Sequence, residues 1–292
     1  MSLPPFDYQA PESDGELCAL LAAHGAKARI IAGGTDLINW MAQGLVRPQV
    51  VIDVTRLPAL AGIAPEPDGG LSIGACVRIE ELERSAEVRG RYHALYQAAR
   101  EIGSPQIRAM ATIGGNCCNA SPCADTPPPL VVFGARVRLV GPAGRREMPL
   151  EAFIRGNRQT AIAADEYLER IVLPAPLPNS ASRFAAIGLR AAQEIDIASV
   201  AVNLALEPGS RRVAAVRIAM GAVAPLPLRA AAAEGILAGQ ALSGERIDRA
   251  AASCAAECRP IDDLRASAEY RRQAIRTLAA RTLREAAAAI PG

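Results

Sequence analysis

Histidine is nearly missing from this chain: 292 residues contain only His24 and His93. His24 precedes Gly25 at the expected end of a helix, where a histidine caps free carbonyls. No H-E-x-x-H, G-x-S-x-G or G-x-x-x-x-G-K-S/T pattern occurs, and no G-x-G-x-x-G follows a strand. Zincin-type hydrolysis, triad chemistry, P-loop phosphoryl transfer and a Rossmann dinucleotide site each lose their defining residues. Aromatic residues make up only 3%. No apolar run approaches the roughly 18 residues that span a bilayer. The start, "MSLPPFDYQAPESDG", has no basic patch leading into an apolar core, so it does not read as a signal peptide. A cytoplasmic chain without membrane insertion is the expectation. The 32 basic and 30 acidic residues leave a net charge of +2, which makes no electrostatic case for nucleic acid. Seven cysteines, an odd number without an export signal, favour reduced thiols over a disulfide framework.

Half of the residues are apolar, and the length suits two or three small domains. Ser13-x-x-Glu16 reads as a capping box for a helix that stops at Gly25. Residues 28–54 then predict a strand, a glycine turn, a short helix at 36–44 and a second strand at 49–54. Residues 71–79 read as a strand and the segment 80–103 as helices. "TPPPLVVFG" starts another helix, because proline is tolerated in the first turn. Residues 135–150 make a hairpin and 166–174 another strand. The proline-rich "PAPLPNSAS" (174–182) is the best boundary. Beyond it, strands at 199–206 and 211–223 precede helices at about 228–239, 246–257 and 266–289.

One motif occurs twice: an apolar stretch running into a Gly-Gly turn beside a threonine, as "IIAGGTD" and "ATIGGN". Glycines permit a positive φ and clear space, so their backbone N–H groups form a concave nest for an anion. One nest suits a phosphate; two brought together suit a pyrophosphate, hence a dinucleotide. Each Gly-Gly by itself also fits an ordinary tight turn. Cys117, Cys118 and Cys123 invite an iron–sulfur reading, but a cluster normally takes four thiolates and no fourth cysteine is near. All seven cysteines read as structural thiols, and no metal site is expected. Cys254 and Cys258, i and i+4 on one helical face, read as core packing.

The segments "IIAGGTDLINWMAQGLVRPQVVIDVTRLPAL" and "GSPQIRAMATIGGNCCNASPCADTPPPLVVFGARVRLV" resemble the two FAD-binding signatures of the medium subunit of molybdenum hydroxylases, the xanthine dehydrogenase and carbon monoxide dehydrogenase family. "IDDLRASAEYRRQAIRTLAARTL" is similar to that family's C-terminal signature, so the resemblance runs over nearly the whole chain. It implies an α+β fold: a PCMH/vanillyl-alcohol-oxidase-type FAD-binding domain of two subdomains (1–56 and 57–175), then a C-terminal domain of antiparallel sheet and helices (176–292). It implies FAD in this chain, with molybdopterin in a large partner subunit and two 2Fe–2S clusters in a small one. A dimer of such heterotrimers is the expected higher assembly. The implied role is electron transfer from the 2Fe–2S clusters to an external acceptor; the alternative is a stand-alone FAD-dependent oxidoreductase of the same fold. The resemblance puts Ile30, Ile31, Ala32, Gly33, Gly34, Thr35 and Asp36 around the FAD phosphates. Thr112, Gly114, Gly115 and Asn116 complete that site, Ile102 and Leu168 pack near the ligand, and Ser121 and Asp125 hydrogen-bond its polar parts. No catalytic acid or base is assigned to this chain. In a pattern like Phe-x-Lys-x-Gly-x-Arg, Phe184, Gly188 and Arg190 remain while Ala186 replaces the lysine. The cationic role beside the flavin then falls to Arg190.

Overall fold

A computed structural model describes residues 3–190 and 194–291. The chain opens with strand β1 (Asp7–Gln9), helix α1 (Asp14–His24), strand β2 (Ala28–Ile31), helix α2 (Leu37–Ala42) and strand β3 (Val50–Asp53). The strands form a parallel sheet in the order β1-β3-β2. Ser13 caps α1 by accepting from the Glu16 N–H at 3.3 Å. The return bond of a capping box is displaced: the Glu16 carboxylate takes the Glu12 N–H, not that of Ser13.

The next stretch holds β4 (Ile63–Pro65), β5 (Leu71–Gly74), α3 (Ile79–Arg84), α4 (Ala86–Arg91), α5 (His93–Glu101), α6 (Pro105–Arg108), α7 (Ile113–Asn119) and α8 (Pro127–Phe133). It continues with β6 (Arg136–Gly141), β7 (Gly144–Pro149), α9 (Leu150–Phe153), β8 (Ile154–Gly156), β9 (Gln159–Thr160) and β10 (Tyr167–Leu173). An antiparallel sheet runs β4-β5-β10-β6-β7. The expected strand at 71–79 ends at Gly74, because the Cys76 N–H turns to the Leu60 carbonyl (2.8 Å) and the Val77 N–H closes on Gly74.

The last stretch contains β11 (Ser180–Ile187), β12 (Ala198–Leu206), β13 (Val213–Gly221), β14 (Leu228–Arg229), α10 (Ala231–Leu237), α11 (Gly244–Glu257) and α12 (Ala268–Ala289). Its strands form an antiparallel sheet in sequence order. The two faces of this sheet differ in residue size, as the period-two alternation of a strand requires. Val200, Val202, Leu204, Ile218 and Met220 pack with α10–α12 in one core. Phe184, Ala201 and Ala219 join the larger core of the preceding domain. Small residues on that second face let α5 and α8 lie against the sheet. The Ala94 N–H donates to Ser182 Oγ at 3.1 Å, and the Phe184 N–H to Gln97 Oε1 at 2.8 Å. Among the described residues no helix is long and apolar enough to cross a membrane.

Candidate functional site

The first glycine turn links β2 to α2. Gly34 has φ +70°, a left-handed conformation that favours glycine. Gly33 is glycine for another reason. A Cβ there would lie 2.6 Å from the Met110 carbonyl carbon and closer still to its oxygen. The turn directs its carbonyls into α2: Gly34 O accepts from Ile38 N, Asp36 O from Trp40 N, and Thr35 O from Asn39 Nδ2. The backbone N–H groups of Gly33, Gly34, Thr35 and Asp36 donate to no described residue. Four adjacent free donors form an anion nest. Burial raises the Asp36 carboxyl above its ordinary range, and Arg158 pulls the other way. Arg158 has φ +57°, donates its N–H to Ala120 O at 3.0 Å, and stacks its guanidinium 4.6 Å from the Trp40 ring. The turn therefore carries a fixed cation beside it.

The second motif is not a turn. Thr112 caps α7, and both glycines lie in the first helical turn, neither with positive φ. Their donors are spent inside the protein. The Ile113 N–H goes to Val77 O (3.0 Å), that of Gly114 to Ala75 O (3.0 Å), that of Gly115 to Thr112 Oγ1 (3.1 Å) and that of Asn116 to Thr112 O (2.9 Å). Gly114 is a close-approach position, since its Cβ would fall 2.6 Å from Ala75 Cβ. Gly115 is exposed. Asn116 Oδ1 accepts from the buried Thr126 hydroxyl at 2.6 Å. The two motifs are thus unequal: the first offers free donors, while the second packs α7 against the end of β5.

Beside them opens a cleft of about 340 Å³ whose lining includes Ala32, Gly33, Met110, Thr112, Thr55, Cys76, Arg78 and Glu81. Ile30 and Ala32 pack on the larger core, and Ile31 on a small core with Leu37, Met41 and Val51. Ile102 and Leu168 are buried members of the larger core. Ser121 and Asp125 lie away from this cleft, on the loop before α8. Ser121 Oγ accepts from the Cys123 N–H at 3.3 Å, which leaves its hydroxyl proton free to donate. Asp125 Oδ1 is closed to solvent and has no partner among the described residues. Arg190 is exposed just beyond β11 and ion-paired to Glu194 at 3.0 Å. Ala186 stands directly across from Ser199 in the β11–β12 ladder.

Among the described residues no group of three or more His, Cys, Asp or Glu side chains is placed to hold a metal. Burial pushes the Cys117 and Cys118 thiols up to about 12. Cys118 is nevertheless exposed. Sequence reasoning passed over Arg158, Thr126, Ala75, Met110 and Asp196. Nothing in their local spacing marks them; each matters through a tertiary partner.

Residues 4–176 match the family model described as FAD binding domain in molybdopterin dehydrogenase, and residues 183–286 match CO dehydrogenase flavoprotein C-terminal domain. The chain is 33% identical over 268 residues to the carbon monoxide dehydrogenase medium chain of Hydrogenophaga pseudoflava, covering 92% of each. It is 30% identical over 273 residues, 93% of each, to the putative xanthine dehydrogenase FAD-binding subunit of Escherichia coli K12. Its fold superposes with a TM-score of 0.95, at 34% identity and over 100% of both chains, on a chain of carbon monoxide dehydrogenase from Hydrogenophaga pseudoflava lacking the Mo-pyranopterin moiety of its cofactor.

Proposed function

The chain belongs to the family of FAD-binding medium subunits of molybdopterin-dependent dehydrogenases, and we propose that it serves as the electron-transfer subunit of such a complex. It accepts electrons from 2Fe–2S clusters of a small partner subunit and passes them to an external acceptor, while a large subunit holds molybdopterin and oxidises the substrate. A dimer of heterotrimers in the cytoplasm is the assembly this reading expects, and 1–56, 57–175 and 176–292 are its working units.

The residues fit FAD. The observation that carries the reading is the row of unpartnered N–H groups from Gly33 to Asp36, beside Arg158 and at a cleft that Gly33 lines while packed closely on the Met110 backbone. Those donors hold phosphate oxygens, and Arg158 adds its charge to theirs. Thr112 lines the same cleft, and Gly114, Gly115 and Asn116 follow it on α7. Asp125 Oδ1, buried without a partner, accepts from a ribose or ribityl hydroxyl. Ser121 donates to the same region, and Ile102 and Leu168 supply apolar backing. When bound, FAD supplies hydride and single-electron transfer at its ring system. The chain's own task is to orient that ring and to limit its contact with water. It assigns no residue to acid–base work, which agrees with its two histidines.

The test is a native pull-down with metal analysis, followed by stopped-flow reduction of the complex stripped of FAD. Companion subunits carrying iron, sulfide and molybdopterin are expected. The reducing substrate should still bleach their centres while turnover with a flavin-dependent acceptor stops. A lone flavoprotein with its own substrate, or partner centres that stay oxidised without FAD, would overturn the proposal.

A further inference from the structure

Asp125 and Asp196 approach each other from opposite sides of a domain junction. Asp125 ends the loop before α8, and Asp196 lies just ahead of β12. Their carboxyls face each other, close enough for each to raise or lower the other's proton affinity. Asp125 Oδ1 and Asp196 Oδ2 are both closed to solvent, and neither finds a donor among the described residues. Two carboxylates offer acceptors only, so contact between them requires a proton. One shared proton gives the pair a donor, and the second lone pair of each carboxyl oxygen leaves Asp125 able to accept from a ligand hydroxyl as well.

Ser199, 1% exposed, lies beside Asp196 and works against the rise of its carboxyl. Glu101, at the end of α5, adds a like charge toward both carboxyls. Cys123, on the same loop as Asp125, also feels both carboxyls, together with the charges of Arg271 and Arg265. Arg271 is 2% exposed; its terminal nitrogens donate to Ile197 O at 2.6 Å, Ala222 O at 3.0 Å and Asp263 Oδ1 at 2.8 Å, while its Nε is buried with no partner among the described residues. Those bonds fix the backbone around the pair. Ile197 follows Asp196 directly, and the Ala222 N–H reaches Pro122 O at 2.8 Å, three residues before Asp125. The backbone is clamped, so the two carboxyls cannot easily separate.

We propose that Asp125 and Asp196 share one proton across the junction between the FAD-binding and C-terminal domains, and that this bond makes Asp196 the positioning residue for Asp125 at the flavin. The second half rests on the FAD reading above; the shared proton does not. Burial, with the facing carboxyl, pushes both groups above the ordinary carboxylate range, Asp196 further. The folded chain therefore keeps a proton that the unfolded chain releases. The contribution to stability is complete in acid, below the unfolded value, and is lost as pH rises toward the folded one. Alkali leaves two buried like charges and opens the clasp.

The test uses the full chain in two forms. Without FAD, its melting midpoint and its infrared spectrum are followed against pH. With FAD, affinity is followed by quenching of Trp40, the single tryptophan. Wild type should show a protonated-carboxyl band at neutral pH, a midpoint that falls as pH rises, and an FAD affinity that weakens in parallel. Asp196→Asn, whose amide donates without titrating, should lose the band and flatten both profiles. Asp196→Ala should weaken FAD roughly tenfold, the scale of one buried hydrogen bond, and Asp196→Asn should regain most of that loss. If Asp196→Ala does not fold, the band and the Asp196→Asn profiles decide. No protonated band in wild type, or one that persists in Asp196→Asn, overturns the shared proton. A chain with the band and the pH-dependent midpoint that takes up no FAD overturns the flavin reading instead. Full FAD affinity in a folded Asp196→Ala variant overturns the positioning role.

Discussion

Replacing Gly33 by alanine adds one methyl group where backbone already stands. That Cβ would lie 2.6 Å from the Met110 carbonyl carbon and 3.0 Å from Ala111 Cα, with the Met110 oxygen nearer still. No side-chain rotation relieves the clash, so the turn or the 109–112 segment must move. Overpacking of this kind costs about 1–3 kcal/mol, which a domain of ordinary stability, roughly 5–15 kcal/mol, survives. If the turn moves away from its phosphate-binding shape and must be pressed back on binding, the same strain weakens FAD about 5- to 150-fold. Gly34 is limited differently. Alanine there meets only the ends of Ile31 and Ile38, at 3.1 and 3.3 Å, but must adopt φ +70° at a cost of about 1–2 kcal/mol. Asparagine tolerates that conformation, so Gly34→Asn should retain more flavin than Gly34→Val, while no residue should rescue position 33. The assay is FAD affinity of each purified variant together with its urea midpoint. A Gly33→Ala chain with unchanged affinity and midpoint would refute the close approach of the two motifs.

Two further outcomes are expected. Arg271→Met removes one guanidinium from two carbonyls and from Asp263; breaking so buried a network costs about 3–5 kcal/mol, and a urea titration should show it at full size. The N–H groups of Arg265 and Ala266 and the Arg271 guanidinium outweigh partial desolvation and hold the Asp263 carboxyl down at about 2. Its contribution is present above the unfolded value of 3.8 and lost as pH falls toward 2. The melting difference between wild type and Asp263→Asn should therefore narrow in acid; a constant difference would refute the assignment.

Elements with strong apolar periodicity were legible in the sequence, among them α1, β2, β3, α8, the β6–β7 hairpin, β10, β12 and the three closing helices. Three were not. β1 is exposed throughout and adds to β3 through backbone alone. β11 carries alanine and serine where a buried strand usually shows branched residues, and its first three residues read as linker. The "TIGGN" segment reads as a turn because glycine disfavours a helix by about 1 kcal/mol per residue. The Thr112 cap and the bonds to Ala75 and Val77 override that preference. The first glycine turn was legible as a donor nest; the equivalence of the two turns was not, since it depends on which N–H groups tertiary partners consume. The Asp125–Asp196 contact joins residues 71 positions apart on two domains, and no local pattern announces it.

The most direct measurement is the identity and stoichiometry of the flavin released when the purified complex is denatured. A nest at Gly33–Asp36 and an orphaned acceptor at Asp125 predict one FAD per chain, with loss of the flavin in Gly34→Val. Release of FMN, or fully assembled complex with no flavin bound to this subunit, would contradict the account.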